Sequence, residues 1–306
     1  IPIDYIIDWF RSRITRRGIV NRVLILKSET ASGKSTVLPS RLYNARVGDP
    51  LRGMIVTQPR VVTAIENVNE IRKHNSAYTP RDIGHSTKYD KLRPDRYGIL
   101  SASIGTLTRE LETNNDDAII KRYQYIIIDE AHERSVQLDL TLISLFNLLT
   151  RCENRDDCPF VVLASATFDE HVFLDFFGVP RETNFIWCRG APQPIDERWS
   201  FMGDHTSSDY LKTCADAVND IVRDGSDADV TTGTDVLIFL PGKPEMQALR
   251  DLLEPLRVGL VRRDPAAAFD IILLESSVVN EYSRDYQRIF NAISDSRVVV
   301  DGKQYV

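Results

Sequence analysis

Apolar side chains at Ile3, Ile6, Ile7, Phe10 and Ile14 recur at the spacing of one helix face, and Gly18 follows as a stop signal. They predict an amphipathic helix over residues 3–16. Beyond it the pattern shortens into apolar, β-branched runs at 22–26, 53–56, 123–128, 160–163, 236–240, 271–274 and 297–300. Helical stretches separate most of them, among them 138–150, 210–222 and 245–256. Continuous apolar strands divided by helices predict βαβ crossovers and a parallel sheet covered on both faces. The chain is predicted to be α/β.

Gly190-Ala191-Pro192-Gln193-Pro194 breaks the alternation, so two domains are expected, over 1–190 and 191–306. The Asp-rich stretch 224–235 lacks the spacing of a calcium loop and reads as a solvated excursion. No internal repeat is visible.

Composition narrows the classes. A chain of 306 residues with net charge −6, 42% hydrophobic and 27% charged residues is an ordinary folded protein, neither disordered nor fibrous. No apolar run approaches the ~18 residues of a membrane span, and no signal-peptide pattern opens the chain. A soluble protein with no membrane attachment is expected. The acidic balance argues against a protein that coats phosphates nonspecifically but leaves room for a local basic groove. Cys152, Cys158, Cys188 and Cys214 form no C-x-x-C pair, and are expected to be reduced thiols of an intracellular protein. The start at Ile1-Pro2, without methionine, reads as a fragment or a processed product.

The first strand runs into Ser28-Glu29-Thr30-Ala31-Ser32-Gly33-Lys34-Ser35-Thr36. A tight turn from strand to helix aims successive backbone N–H groups at one point, where the helix dipole favours an anion. Lys34 would reach the outer phosphates, the Ser35 hydroxyl would sit on Mg²⁺, and Gly33 would let the backbone approach closely. The match to G-x-x-x-x-G-K-[ST] is imperfect, with Ser28 at the first glycine position. An ordinary helix start remains the competing explanation for this segment alone.

A second motif, Asp129-Glu130-Ala131-His132-Glu133-Arg134, follows a wholly apolar run. Two adjacent carboxylates at the tip of a buried strand are costly unless they serve a cation or a network. Beside a phosphate loop, Asp129 could hold the Mg²⁺ shell while Glu130 orients and deprotonates the attacking water. A helix cap by Asp129 would explain only one of the two.

Asp129-Glu130-Ala131-His132 is the box that names the DEAH-box helicases of superfamily 2, and five further segments resemble that family's motifs in order. The phosphate loop resembles G-E-T-G-S-G-K-T, with Ser28 and Ala31 replacing glycines. Thr57-Gln58-Pro59-Arg60-Val61-Val62-Thr63-Ala64 is similar to T-Q-P-R-R-V-A-A, and residues 103–110 resemble T-D-G-M-L-L-R-E. Ser165-Ala166-Thr167 matches the third helicase motif, and residues 237–242 resemble the fourth. Viral helicases of flavivirus and poxvirus type are also similar.

The resemblance implies two RecA-like P-loop domains with ATP and Mg²⁺ in the cleft between them, and single-stranded nucleic acid, RNA rather than DNA, as partner. By carry-over, the loop from Ser28 through Glu29, Thr30, Ala31, Ser32, Gly33, Lys34 and Ser35 to Thr36 binds the nucleotide. Lys34, Asp129 and Glu130 are catalytic. Ser35 and Glu130 contact Mg²⁺, with Asp129 acting through water. His132, Ser165 and Thr167 link nucleotide state to domain movement, and Arg60 and Arg109 contact the sugar-phosphate backbone. Each has a bland alternative: Ser165 and Thr167 as helix caps, Arg60 as a surface cation. Arg11, Arg13, Arg16 and Arg17 read as a charged helix face. Protein activators or a larger complex, and an intracellular location (host cell if viral), fit the same picture.

The family's A-T-N-I-A-E-T-S and arginine-finger Q-R-x-G-R-x-G-R segments have no counterpart after the run at 297–300. An incomplete second domain is expected, and with it a chain that binds ATP but turns it over slowly. The alternatives are a catalytically impaired helicase-like scaffold and a small-molecule NTPase or kinase.

Overall fold

The computed structural model describes residues 3–29, 32–74, 77–88, 91–94, 97–167, 169–189, 197, 199, 209–224, 236–263, 269, 271–273, 298–300 and 303–305. They fall in two compact units, Ile1–Pro194 and Ile195–Val306.

The first unit opens with α1 (Ile3–Arg11) and β1 (Val23–Ser28), then α2 (Val37–Ala45), β2 (Gly53–Gln58) and α3 (Val61–His74). Next come β3 (Ile83–Ser86), β4 (Lys91–Leu92), β5 (Ile99–Ser103), α4 (Ile104–Thr113), α5 (Asp116–Arg122) and β6 (Tyr123–Ile128). α6 (Val136–Arg151), β7 (Phe160–Ser165), α7 (Glu170–Phe177), α8 (Arg181–Asn184) and β8 (Phe185–Cys188) complete it. One eight-stranded sheet runs β4-β3-β5-β2-β6-β7-β1-β8. Every pairing in it is parallel except β3 with β4.

Side chains of a strand alternate between faces, and here both faces are buried. Val23 and Ile25 join one apolar cluster with Leu107, Leu145 and Phe173, from α4, α6 and α7. Leu24 and Leu26 join another with Phe10, Leu38 and Ile71, from α1, α2 and α3. Burial on two sides is why these strands read as unbroken apolar runs. Phe10, Tyr125 and Phe160 pack edge-on and stacked under α1, and Trp9 Nε1 donates to the Thr183 carbonyl at 2.6 Å.

Several expectations are corrected. α1 ends at Arg11, short of the predicted end at Arg16, in successive tight turns closed by Arg13 N to Phe10 O and Arg16 N to Arg13 O. Cys152 and Cys158 are not reduced thiols: they are disulfide-bonded, both buried where α6 ends and β7 begins. The turn between those elements folds the two sulfurs together across six residues. Cys188 and Cys214 are free. Of the four arginines expected on a charged helix face, only Arg11 lies on the helix; Arg13, Arg16 and Arg17 follow its end, and Arg11 pairs with Asp8 and Arg17 with Asp156 on the exposed surface.

In the second unit, α9 (Asp209–Asp224) packs on α10 (Lys243–Arg263) through Leu211, Val218, Leu249 and Leu253. β9 (Val298–Val300) pairs antiparallel with β10 (Lys303–Tyr305). Residues 236–240 and 271–273 carry no strand, contrary to the pattern; Ile238, Leu240 and Ile271 instead lie against the two helices. The linker 190–194, and all of 224–235 except Asp224, lie outside the described residues. Among the described residues no helix is long and apolar enough to cross a membrane.

Candidate functional site

Because β6, β7 and β1 are neighbours, their C-terminal ends bring three sequence-distant segments together. β1 carries the phosphate loop, β7 ends at Ser165, and β6 delivers Asp129. In the loop Thr30 and Ala31 lie outside the described residues. Gly33 has φ 83°, a left-handed value that favours glycine, and its carbonyl accepts from Val37 N at 2.8 Å as α2 begins. Ser28, at the first glycine position of the motif, is the last residue of β1; it has no positive φ, and its hydroxyl accepts from Ser32 Oγ at 2.9 Å. That position therefore makes no demand for glycine here. Glu29, Ser35 and Thr36 complete the described turn before α2.

Lys34 is 4% exposed, and its Nζ lies 3.0 Å from Glu130 Oε1. The other Glu130 oxygen is 3.2 Å from His132 Nδ1, and that nitrogen is 2.7 Å from Ser165 Oγ. Ser165 Oγ also accepts from Thr167 N at 3.3 Å. One polar chain thus runs from phosphate loop to acidic box to the end of β7. Glu130 holds φ 51° in the turn, a conformation that costs a non-glycine residue on the order of 1–3 kcal/mol. The turn is pinned by Ala131 N donating to Ala164 O at 3.1 Å and Glu133 N to Glu130 O at 2.9 Å.

Asp129 is 4% exposed and fully engaged. Its Oδ1 accepts from Glu130 N at 2.9 Å, its Oδ2 from Gln58 Nε2 at 2.8 Å, and the Ser35 hydroxyl also bonds to it. Burial pushes its carboxyl above the usual range, opposed by the bonds from Ser35 and Gln58.

The capping alternatives fail. Ser135 caps α6 by accepting from Leu138 N at 3.1 Å, and Asp169 caps α7 by accepting from His171 N at 3.0 Å. Asp129, Ser165 and Thr167 therefore need another explanation.

Arg60 follows the tip of β2, 76% exposed, with Nη2 3.8 Å from Glu133 Oε1. Arg109 is exposed on α4, which leaves the tip of β5. Gln58 and Glu133 lie within the motifs, but the sequence points to no role for either. Their signal, a polar residue beside the motif arginine and one beside the acidic box, gains meaning only through the pairing of β2 with β6.

Among the described residues no group of three or more His, Cys, Asp or Glu could hold a metal ion. Mg²⁺ does not require one, since it is held by one or two carboxylates while phosphate and water complete its shell. The oxygen set of Ser35, Asp129 and Glu130 fits it.

Residues 12–174, more than half of the chain, match the family described as DEAD/DEAH box helicase. The chain is 34% identical over 286 residues to the Putative RNA Helicase B962L of African swine fever virus (isolate Tick/South Africa/Pretoriuskop Pr4/1996), covering 86% of this chain and 29% of that protein. It is 30% identical over 254 residues to ATP-dependent RNA helicase DHX33 of Homo sapiens, covering 79% and 33%. The fold matches the crystal structure of Escherichia coli DEAH/RHA helicase HrpB with TM-score 0.62 at 21% identity, over 83% of this chain and 30% of that one. The chain thus spans about a third or less of the length of the proteins it matches. Its first unit has the RecA-like helicase architecture, and the chain belongs to the DEAD/DEAH box helicase family.

Proposed function

We propose that this chain is the nucleotide-driven part of an RNA helicase, coupling ATP hydrolysis to movement along a single strand. The observation that carries this is the contact of buried Lys34 with Glu130, beside buried Asp129, at the tips of three adjacent strands. A phosphate-binding cation, a base and a metal carboxylate meet there, with Arg60 beside the box on the neighbouring tip.

Residues Ser28 to Thr36 cradle the phosphates, and Lys34 turns from Glu130 to the outer phosphate when ATP binds. Glu130, released from Lys34, accepts the proton of the attacking water. Ser35, Asp129 and Glu130 would hold Mg²⁺, which would neutralise charge on the phosphates. His132, Ser165 and Thr167 pass the state of Glu130 to the end of β7. Arg60 and Arg109 hold the strand through its phosphates, so binding is sequence-tolerant and weakens with salt. RNA rather than DNA is supported by the names of the relatives, as is a working enzyme over an impaired scaffold. An intracellular place rests on that substrate alone, since two of the cysteines are bridged.

The test is Mg²⁺-dependent ATP hydrolysis by the full-length protein, with and without single-stranded RNA. Stimulation by RNA, and loss of turnover by about 10²–10³-fold in Lys34→Ala, are expected. Turnover that survives Lys34→Ala, or that responds only to DNA, would refute this function.

A further inference from the structure

The tips of β2 and β6 are tied together more closely than a phosphate site by itself requires. Asp129 N donates to Thr57 O at 3.1 Å, and Gln58 Nε2 donates to Asp129 Oδ2 at 2.8 Å. Two residues on, Arg60 reaches Glu133, the residue that follows His132 in the acidic box. Gln58 is 3% exposed, so its bond to Asp129 is sheltered from water. A carboxylate only accepts, which fixes the Gln58 amide with its nitrogen inward. Pro59, between Gln58 and Arg60, locks its own φ near −65° and leaves few soft torsions between the two side chains.

Resting on the function proposed above, we propose that Gln58 is a positioning residue that couples strand occupancy at Arg60 to the aim of the Asp129 carboxylate. Glu133 holds the place of a strand phosphate until one arrives. The exposed Arg60–Glu133 pair is weak and readily displaced. With Arg60 on a backbone phosphate, the β2 tip is fixed and Gln58 holds Asp129 Oδ2 in one direction. Without the strand, Arg60 beyond that tip is held by the weak pair with Glu133. Coupling of this kind is reciprocal, so bound nucleotide must also tighten the grip on RNA.

The experiment uses the full-length protein, its Gln58→Met variant, which keeps side-chain length without the donor, and Glu133→Gln. Single-stranded RNA binding is measured with and without a non-hydrolysable ATP analogue, together with the Mg²⁺ concentration that half-saturates analogue binding. ATP turnover is measured against RNA concentration. For Gln58→Met, nucleotide-free RNA binding stays at the wild-type level but the analogue no longer tightens it. The Mg²⁺ midpoint rises by about tenfold or more, and RNA-saturated turnover falls by about 10–100-fold at an unchanged half-stimulating RNA concentration. Glu133→Gln binds RNA more tightly without nucleotide. Analogue-dependent tightening and an Mg²⁺ midpoint unchanged in Gln58→Met overturn the proposal. So does a loss of analogue binding that added Mg²⁺ does not restore, since that is ordinary destabilisation. If RNA fails to stimulate the wild type, the helicase function itself fails, a result distinct from either.

Discussion

At the scale of single residues, Gly33 and Glu130 are, among the described residues of the site, the two with left-handed backbone, and only the first announces itself in the sequence. A Cβ on Gly33 would meet Val37 Cγ2 at 2.7 Å, in addition to the strain of its φ. Gly33→Ala is expected to lose about 1–3 kcal/mol of stability and to weaken nucleotide binding. Urea denaturation and titration with a fluorescent nucleotide check this, and an unchanged urea midpoint would refute the strain. Glu130 carries its strain without any glycine signal, so only the structure reveals it. Asp82 gives a pH prediction. Its carboxylate accepts from Thr79 N at 2.9 Å, Thr79 Oγ1 at 2.7 Å and the Tyr43 hydroxyl at 2.8 Å. These bonds, those from Thr79 foremost, hold it below the usual carboxylate range. A depressed folded value means the unfolded chain binds the proton more readily. The contribution is therefore complete above the unfolded value near ~4 and is lost as pH falls through the folded one. The stability gap between wild type and Asp82→Asn should shrink from pH 7 to pH 3, and a gap independent of pH would exclude this role.

At the scale of elements, α6 begins directly after the acidic box, and its cap is Ser135. Ser135→Ala is expected to cost about 1 kcal/mol, read as a lower urea midpoint at unchanged slope. The strands that carry the site, β1, β2, β6 and β7, were legible because two buried faces make each an apolar run. β3 and β5 were not. Their sequences, Ile-Gly-His-Ser and Ile-Leu-Ser-Ala-Ser, are rich in small polar residues. They become strands by pairing: β5 lies beside β2, and β3 beside β5. β8 is a short edge strand recruited by β1. The converse holds at 236–240 and 271–273, where Ile238, Leu240 and Ile271 pack on helices rather than in a ladder.

At the scale of the molecule, the Cys152–Cys158 bridge closes the turn between α6 and β7. Thiol titration of the unfolded, unreduced protein should count two thiols rather than four. Reduction should lower stability by about 2 kcal/mol in the chain-entropy picture. Four reactive thiols without a reductant would refute the bridge. The α/β class, the strand-to-helix turn at 28–36 and the acidic box were legible from residue order, because backbone turn geometry and strand burial are written locally in residue type and spacing. Which of those residues meet was decided only by the tertiary structure. The order β2-β6-β7-β1 sets Gln58, Asp129, Ser165 and Lys34 at one end of the sheet. Contacts such as Gln58 with Asp129 and Lys34 with Glu130 depend on which strands become neighbours, and apolar runs that are alike on both faces do not encode their order.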